Sequence, residues 1–240
     1  MTTHRKICLY IINGDARDIK KGNREMAKLH FKYGVMAASK SADLCIQAHN
    51  LRKSGNNYEV LKPSADTRDS ASEIVSRIEG LREPARALPN LDNYTPISNT
   101  QFILIDEVQF FFPRDIDKLV HIADTTDITI FTWGLNVDSD GQMFPVAAKL
   151  FVEANEIERK ETVCQIPGCT EMASHHIKYD KNGNILRGGP QIDVGGDEKY
   201  ISVCRCCFHN LYDDPKANLF SYMNMMKLRS QQMQNLQKVK

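Results

Sequence analysis

The spacing of apolar residues predicts several strands in the first two thirds of the chain. Apolar and polar residues alternate over 28–33, as in a strand with one buried face. Short apolar runs bounded by polar or turn-forming residues predict further strands over 58–61, 101–105 and 128–133. The continuous apolar character of the last two is typical of strands buried on both faces of a sheet.

Helical patterns lie between and after these strands. Over 40–53 apolar residues recur on one helical face, and a Gly-Asn pair then supplies a stop signal. A second helix is expected over 115–124, and a last one from residue 216 onward. The polar run 64–72 predicts a loop that leads into a helical or irregular segment with a weak pattern.

Alternating strands and helices predict an α/β fold in which helices cover both faces of a parallel sheet. The ligand is then expected in the polar loops at the carboxyl ends of the strands. We divide the chain into an N-terminal extension (1–25), an α/β nucleotide-binding domain (26–161), a small metal-held domain (162–214) and a helical tail (215–240).

Composition fits one large core with a smaller appendage. The chain has 240 residues, of which 42% are apolar and 25% charged, and its formal charge is +1. This near-neutral charge argues against a strongly basic nucleic-acid binder and against attraction to an anionic membrane. The early apolar run 7–12 is too short for a signal sequence or a membrane span, so we expect a cytoplasmic protein.

Cysteine spacing predicts a metal site. Five of the seven cysteines lie between residues 164 and 207. In a reducing compartment such clustering favours metal binding over disulfides. Two pairs, with four and two intervening residues, predict a closed, structural zinc site with four thiolate ligands. Cys206 or His209 could replace a ligand, and reduced core cysteines are the alternative. The predicted ligands are Cys164, Cys169, Cys204 and Cys207.

Residues 34–41, GVMAASKS, match the phosphate-binding loop G-x-x-x-x-G-K-[ST] with one change. Gly34, Lys40 and Ser41 fit the pattern, whereas Ser39 stands at the second glycine. Backbone N–H groups of such a loop surround phosphates, its lysine reaches the β and γ oxygens, and the following helix adds its positive end. The alternative is a serine-rich helix start with a lone lysine.

Two adjacent acids, Asp106 and Glu107, follow the apolar strand at 101–105. An acid at this point can hold Mg²⁺ opposite the loop serine, and its neighbour can orient or deprotonate a nucleophile. The alternative is a buried strand that ends in a solvated acidic turn. Each motif supports the other, and together they favour a nucleotide-dependent enzyme that uses Mg²⁺.

In this order, the loop, the acids and the cysteine pairs resemble the type II thymidine kinase family, whose zinc-held segment is called the lasso. Other segments that carry the resemblance, over about residues 26–212, are KLHFKYGVMAASKS, LKPSADTRDS, VSRI, IDEVQFF, WGLNVDSDGQMF and VGGDEKYISVCRCC. The resemblance implies transfer of the γ-phosphoryl group of ATP to the 5′-hydroxyl of thymidine, with deoxyuridine as a second candidate substrate. It also implies a role in pyrimidine salvage and a homotetramer.

The resemblance further implies roles for individual residues. Glu107 would accept the proton of the 5′-hydroxyl, and Arg68 would stabilise charge on the transferred phosphoryl group. The residues implied at ATP and Mg²⁺ are Gly34, Ser39, Lys40, Ser41, Asp66, Asp106 and Gln109. Those implied at the nucleoside are Met36, Leu135, Phe144, His176, Asp193, Val194, Gly195 and Tyr200, the last stacking on the base.

Three residues depart from the family pattern. Ser39 replaces the loop glycine, Ser139 stands where the family has a pocket phenylalanine, and Asp140 stands where a basic residue is common. Loss of the aromatic wall would lower base affinity by roughly 1–3 kcal/mol. An acid at 140 would weaken binding further if its side chain faced the phosphates.

Two other classes of function stay open at this point. The first is a non-catalytic homologue that keeps the fold and binds a nucleotide or a partner. The second is a zinc-ribbon nucleic-acid binder, which the near-neutral charge disfavours.

Overall fold

The computed structural model describes residues 28–66, 72–189, 191 and 199–238, without the side chains of 236–238. The extension 1–25 and the predicted site residues Arg68, Asp193, Val194 and Gly195 lie outside these ranges. Ten strands occur in the described ranges: β1 (Leu29–Tyr33), β2 (Tyr58–Pro63), β3 (Glu73–Val75), β4 (Arg82–Pro84), β5 (Arg86–Leu88), β6 (Phe102–Ile105), β7 (Thr129–Gly134), β8 (Glu156–Arg159), β9 (His175–Lys178) and β10 (Tyr200–Val203).

Six of these strands form the predicted parallel sheet, in the order β5-β2-β6-β7-β1-β8. Every neighbouring pair in it is parallel. The segment after residue 72 differs from the expectation of a helical or irregular region, because β3 and β4 pair as antiparallel strands and β5 joins the sheet edge. Strands of three residues are too short to show a period in the sequence.

Five α-helices accompany the strands in the described residues: α1 (Lys40–Lys53), α2 (Pro113–Thr125), α3 (Pro145–Glu153), α4 (Arg205–Tyr212) and α5 (Leu219–Lys238). A 3-10 helix covers Val108–Phe110. The first, second and last were predicted, whereas α3 and α4 are short helices that the sequence did not suggest. Helix α2 begins before residue 115 because Pro113 fits the first helical turn and the Asp115 carboxylate accepts a hydrogen bond from the Phe112 N–H at 2.9 Å.

Helices cover both faces of the sheet, as predicted. Leu44 and Leu51 of α1 pack on one face with Leu104 and Trp133. Helices α2 and α3 pack on the other face against residues that include Ile103. Consecutive strand residues such as 103 and 104 therefore enter opposite cores, which explains why β6 is apolar throughout.

The C-terminal part of the chain has a core of its own. Strands β9 and β10 form an antiparallel pair, and the cysteine-rich segments pack with them. This part also contacts the phosphate-binding loop, because the Ser202 hydroxyl donates to the Met36 carbonyl at 2.7 Å. No helix in the described residues is long and apolar enough to cross a membrane.

Candidate active site

The predicted site residues lie where parallel strands end. The loops that follow β1, β2, β6 and β7 start at the carboxyl ends of neighbouring strands, so they share one edge of the sheet. This edge carries the loop 34–39, Asp66, the two acids and Leu135. The arrangement is the one expected for a ligand site in an open parallel sheet.

The phosphate-binding loop has the backbone shape that its missing glycine would have supplied. Ala37 and Ser39 have φ values of 58° and 55°, in the left-handed region that glycine adopts most easily. A residue with a Cβ in this region is strained by roughly 1–2 kcal/mol. Ser39 therefore carries strain that a glycine at this position would not carry.

Lys40 and Gly34 of the same loop are fixed by close contacts. Lys40 is buried, and its Nζ donates to the Val35 carbonyl at 2.8 Å. A Cβ added to Gly34 would lie 2.4 Å from the Lys160 carbonyl oxygen, so a side chain does not fit there. Gly34 is thus required by close packing against the segment that follows β8.

Asp106 lies buried at the end of β6 and hydrogen-bonds the Ser41 side chain. Burial and the neighbouring Glu107 raise the pKa of Asp106, while the Ser41 hydrogen bond and the nearby Lys40 ammonium act in the opposite direction. A nearby cation would therefore stabilise the ionised form of Asp106. The Ser41 hydroxyl and an Asp106 oxygen therefore fit the oxygen ligands that Mg²⁺ prefers.

Glu107 is held on two sides. Its backbone has a φ of 50°, and its N–H donates to Asp106 Oδ1 at 3.0 Å. Gln109 Nε2 donates to Glu107 Oε2 at 2.5 Å, and Gln109 Oε1 accepts from the Leu135 N–H at 3.0 Å. Only 2% of Gln109 is exposed. Gln109, which is predicted to lie at the nucleotide, joins the Glu107 carboxylate to the end of β7.

Asp66 forms an ion pair that was not expected from the sequence. Lys62 Nζ lies 2.9 Å from Asp66 Oδ2, and only 2% of Lys62 is exposed. A buried ammonium needs such a partner. A lysine near the carboxyl end of an otherwise buried strand, as Lys62 is in β2, indicates that a buried acid lies nearby.

Three of the predicted nucleoside residues lie close together beside the loop. The rings of His176 and Tyr200 are 5.8 Å apart at nearly right angles, and β10, which Tyr200 begins, is bonded through Ser202 to Met36. His176 Nδ1 is buried and has no hydrogen-bond partner in the described part of the chain. Burial lowers the pKa of His176 to about 3, so its imidazole is neutral.

Leu135 and Phe144 lie on the other side of the turn that follows β7. Phe144 is buried in the core under α2 and α3, and Leu135 packs against the same cluster. The Phe144 ring contacts Phe110 edge to face with centroids 6.5 Å apart. Both residues therefore support the turn that carries the two departures from the family pattern, Ser139 and Asp140.

Asp140 bonds to the C-terminal part of the chain. Its Oδ1 accepts hydrogen bonds from the Gly188 N–H at 3.0 Å and from the Tyr212 hydroxyl at 2.8 Å. The neighbouring Asp138 accepts from Gln191 Nε2 at 2.9 Å. The Asp140 carboxylate therefore attaches the turn that follows β7 to Gly188 and Tyr212 in the C-terminal part of the chain.

The four predicted metal ligands come together, with all four sulfur atoms within 4.8 Å of one another. The Sγ atoms of Cys169 and Cys204 are 3.8 Å apart, and those of Cys169 and Cys207 are 4.0 Å apart. A tetrahedral Zn²⁺ with bonds of about 2.3 Å requires sulfur separations of about 3.8 Å. The cluster therefore fits zinc.

The two alternative metal ligands point elsewhere. Cys206 is exposed and accepts a hydrogen bond from Asn210 Nδ2 at 3.7 Å. His209 Nδ1 lies 2.9 Å from Asp213 Oδ2. Neither residue belongs to the group of four sulfur atoms.

Comparison with known proteins gives a consistent result. A sequence model of the family described as thymidine kinase matches residues 27–208. A thymidine kinase from Ruegeria pomeroyi is 32% identical over 198 residues, which are 80% of this chain and 98% of that protein. One from Legionella pneumophila is 35% identical over 188 residues, 75% of this chain and 88% of its own length. One from Shewanella oneidensis is 31% identical over 196 residues, 79% of this chain and 100% of its own length.

Proposed function

Because the chain belongs to the thymidine kinase family, we propose that it transfers the γ-phosphoryl group of ATP to the 5′-hydroxyl of thymidine, or of deoxyuridine. The observation that carries this proposal is the contact between the phosphate-binding loop and the two acids. Ser41 bonds to Asp106, and Glu107 is fixed beside Asp106 by Gln109. The product would enter pyrimidine salvage as a DNA precursor.

The loop residues are proposed to bind ATP. Backbone N–H groups of 34–39 surround the phosphates, and Lys40 exchanges its contact with the Val35 carbonyl for phosphate oxygens. Ser41 and Asp106 would hold Mg²⁺, which neutralises charge on the β and γ phosphates when it is bound. The raised pKa of Asp106 supports this assignment, since a buried carboxylate without a cation is unfavourable.

Glu107 is proposed as the general base. Its carboxylate takes the proton of the 5′-hydroxyl as that oxygen bonds to the γ-phosphorus and the bond from phosphorus to ADP breaks. Gln109 donates to one carboxylate oxygen of Glu107 and so holds this carboxylate beside Asp106. Arg68 lies outside the described residues, and we propose that it stabilises charge on the transferred phosphoryl group. Asp66 lies two positions before Arg68 in the sequence, and its ion pair with Lys62 would fix its position.

The thymine base is proposed to lie between the loop and β10. Tyr200 would stack on it, and His176, whose ring packs edge to face against Tyr200, would lie near its polar edge. Met36, Leu135 and Phe144 would form the apolar walls. The backbone of Asp193, Val194 and Gly195, outside the described residues, would close the pocket.

The four cysteines are proposed to hold one structural zinc ion. They are Cys164, Cys169, Cys204 and Cys207, and their spacing supports a closed tetrahedral site with no open position for catalysis. We further propose a cytoplasmic homotetramer with no nucleic-acid or membrane partner, and the division at residues 25, 161 and 214 given above.

The kinase proposal is tested by coupling ADP release to a spectroscopic readout with thymidine, deoxyuridine and deoxycytidine as acceptors. The expected result is turnover with thymidine that Glu107→Gln lowers by a factor of about 10²–10⁴, with ATP binding retained. Glu59→Gln is the matched control, because Glu59 is a buried acid that accepts from the Ile97 N–H and the Thr100 hydroxyl away from the phosphate loop.

The same assay separates the kinase from a non-catalytic homologue. Absence of nucleoside-dependent turnover in zinc-replete protein that still binds ATP would rule out the kinase and support the alternative. Metal analysis tests the cysteine site, which requires about one zinc per chain in protein purified without chelators.

A further inference from the structure

Helix α5 lies beyond the residues that the family model matches, yet it packs against the cysteine cluster. Leu219, at its first position, is 1% exposed and belongs to the same core as the ligand cysteines. Tyr222, Met223 and Met226 pack against that core. These residues share one face of the helix, so the helix axis runs along the cluster.

Tyr222 makes a direct contact with a ligand cysteine. Its hydroxyl donates to Cys207 Sγ at 3.8 Å, and the Tyr222 oxygen accepts from Asn210 Nδ2 at 3.1 Å. A tyrosine hydroxyl has a single hydrogen. Asn210 Nδ2 donates to the Tyr222 oxygen and cannot accept the hydroxyl hydrogen, so that hydrogen points toward Cys207 Sγ.

The helix also approaches the other half of the cluster. Gly168 lies one residue before Cys169, and a Cβ added to it would lie 2.7 Å from the Ser230 Cβ. The absence of a side chain at Gly168 therefore lets α5 lie against the first cysteine pair. The contacts at Leu219, Tyr222 and Ser230 extend over about three helical turns.

We propose that Tyr222 is an outer-sphere ligand of the zinc site and that docking of α5 and zinc binding stabilise each other. The inference rests on the zinc proposed above. Four thiolates around Zn²⁺ carry a net charge of −2, so a hydroxyl that donates to one sulfur stabilises the complex. Without the metal, the four sulfur atoms lose the ion that holds them together, and the contacts of α5 with Cys207 and Gly168 are weakened. By linkage, a docked helix then raises the affinity of the four cysteines for zinc.

The first test measures zinc transfer from the full-length, zinc-loaded protein to a chromogenic chelator, together with zinc affinity by competition. Tyr222→Phe keeps the ring and removes the donor, and we expect its zinc affinity to fall about 10-fold or more. Tyr58→Phe is the matched control, because it removes a hydroxyl of the central sheet that donates to Glu83 of β4 at 2.8 Å. Leu228→Ala changes α5 at a position that is 52% exposed, and should act like the parent protein.

The second test follows hydrogen exchange of the α5 amides in the zinc-loaded and zinc-free protein. Protection of the amides over 219–230 is expected to fall when zinc is removed. The variant Ser230→Phe is expected to release zinc faster than the parent, because the larger side chain crowds Gly168. Unchanged α5 protection on zinc removal, or zinc affinity of Tyr222→Phe within twofold of Tyr58→Phe, would overturn the inference. Zinc-free purified protein would overturn it together with the metal site, while nucleoside-dependent turnover would still test the kinase separately.

Discussion

Replacement of Ser39 by glycine should stabilise the protein, which is the opposite of the usual effect of a new glycine. Ser39 precedes α1 with φ 55° and ψ 27°, and its side chain makes no capping hydrogen bond. The substitution therefore removes a strained Cβ at an exposed position without removing a contact that the helix start needs.

The magnitude follows from two opposing effects. Relief of the left-handed conformation contributes about 1–2 kcal/mol to the folded state. The greater freedom of glycine in the unfolded chain costs about 0.4–1 kcal/mol. The free energy of unfolding should rise by about 0.8 kcal/mol, the midpoint of these ranges, which corresponds to a Tm increase of roughly 2–3 °C for a chain of this size.

The assay is thermal unfolding of the nucleotide-free protein, followed by circular dichroism. Ser54→Gly is the matched control, because Ser54 ends the same helix with φ −84° and its hydroxyl donates to the Asn50 carbonyl at 3.0 Å. That variant should melt below the parent. If Ser39→Gly also melts at or below the parent temperature, the strain assigned to the loop is wrong.

Three further predictions concern the site and its supports. Asp106→Asn should abolish turnover. It should also raise the free energy of unfolding at pH 7 by about 1–3 kcal/mol, because the raised pKa of Asp106 makes its ionised form unfavourable in the folded protein. This gain should appear in urea titrations as the pH rises above about 4, and an equal gain at pH 3 would contradict the prediction. Asp140→Ala should raise KM for thymidine about tenfold with little change in KM for ATP, because Gly188 and Tyr212 lose their acceptor; equal changes in both constants would count against this role. Gly34→Ala should lower the free energy of unfolding by about 1–3 kcal/mol in urea titrations, since the new Cβ meets the Lys160 carbonyl at 2.4 Å; a neutral result would show that the contact relaxes freely.

Much of the fold was predictable because it depends on local patterns. The apolar run of β6 and the helical face of α1 follow from periods of a few residues. The strands β3, β4 and β5 were not predictable in the same way, because three residues carry too little periodicity. Helix α3 was missed for a related reason, since nine residues give only two and a half turns of pattern.

For the candidate site, too, local sequence patterns were predictable and long-range contacts were not. The sequence identified which residue types occur, such as Lys40 with its serine and the pair Asp106 and Glu107. It did not reveal that Gln109 holds Glu107, or that Lys62 pairs with Asp66. These contacts depend on side-chain directions that a motif does not specify.

The sequence by itself determined the chemistry available to this protein: a phosphate-binding loop, a pair of acids at a strand end, and two cysteine pairs with metal-site spacing. Only the tertiary structure decided how residues far apart in the chain act on one another. Asp140 meets Tyr212 across 72 positions, and Cys169 meets Cys204 across 35. Local patterns are set by backbone periods of two to four residues, whereas such contacts exist only after the cores have packed and fixed the relative positions of the elements.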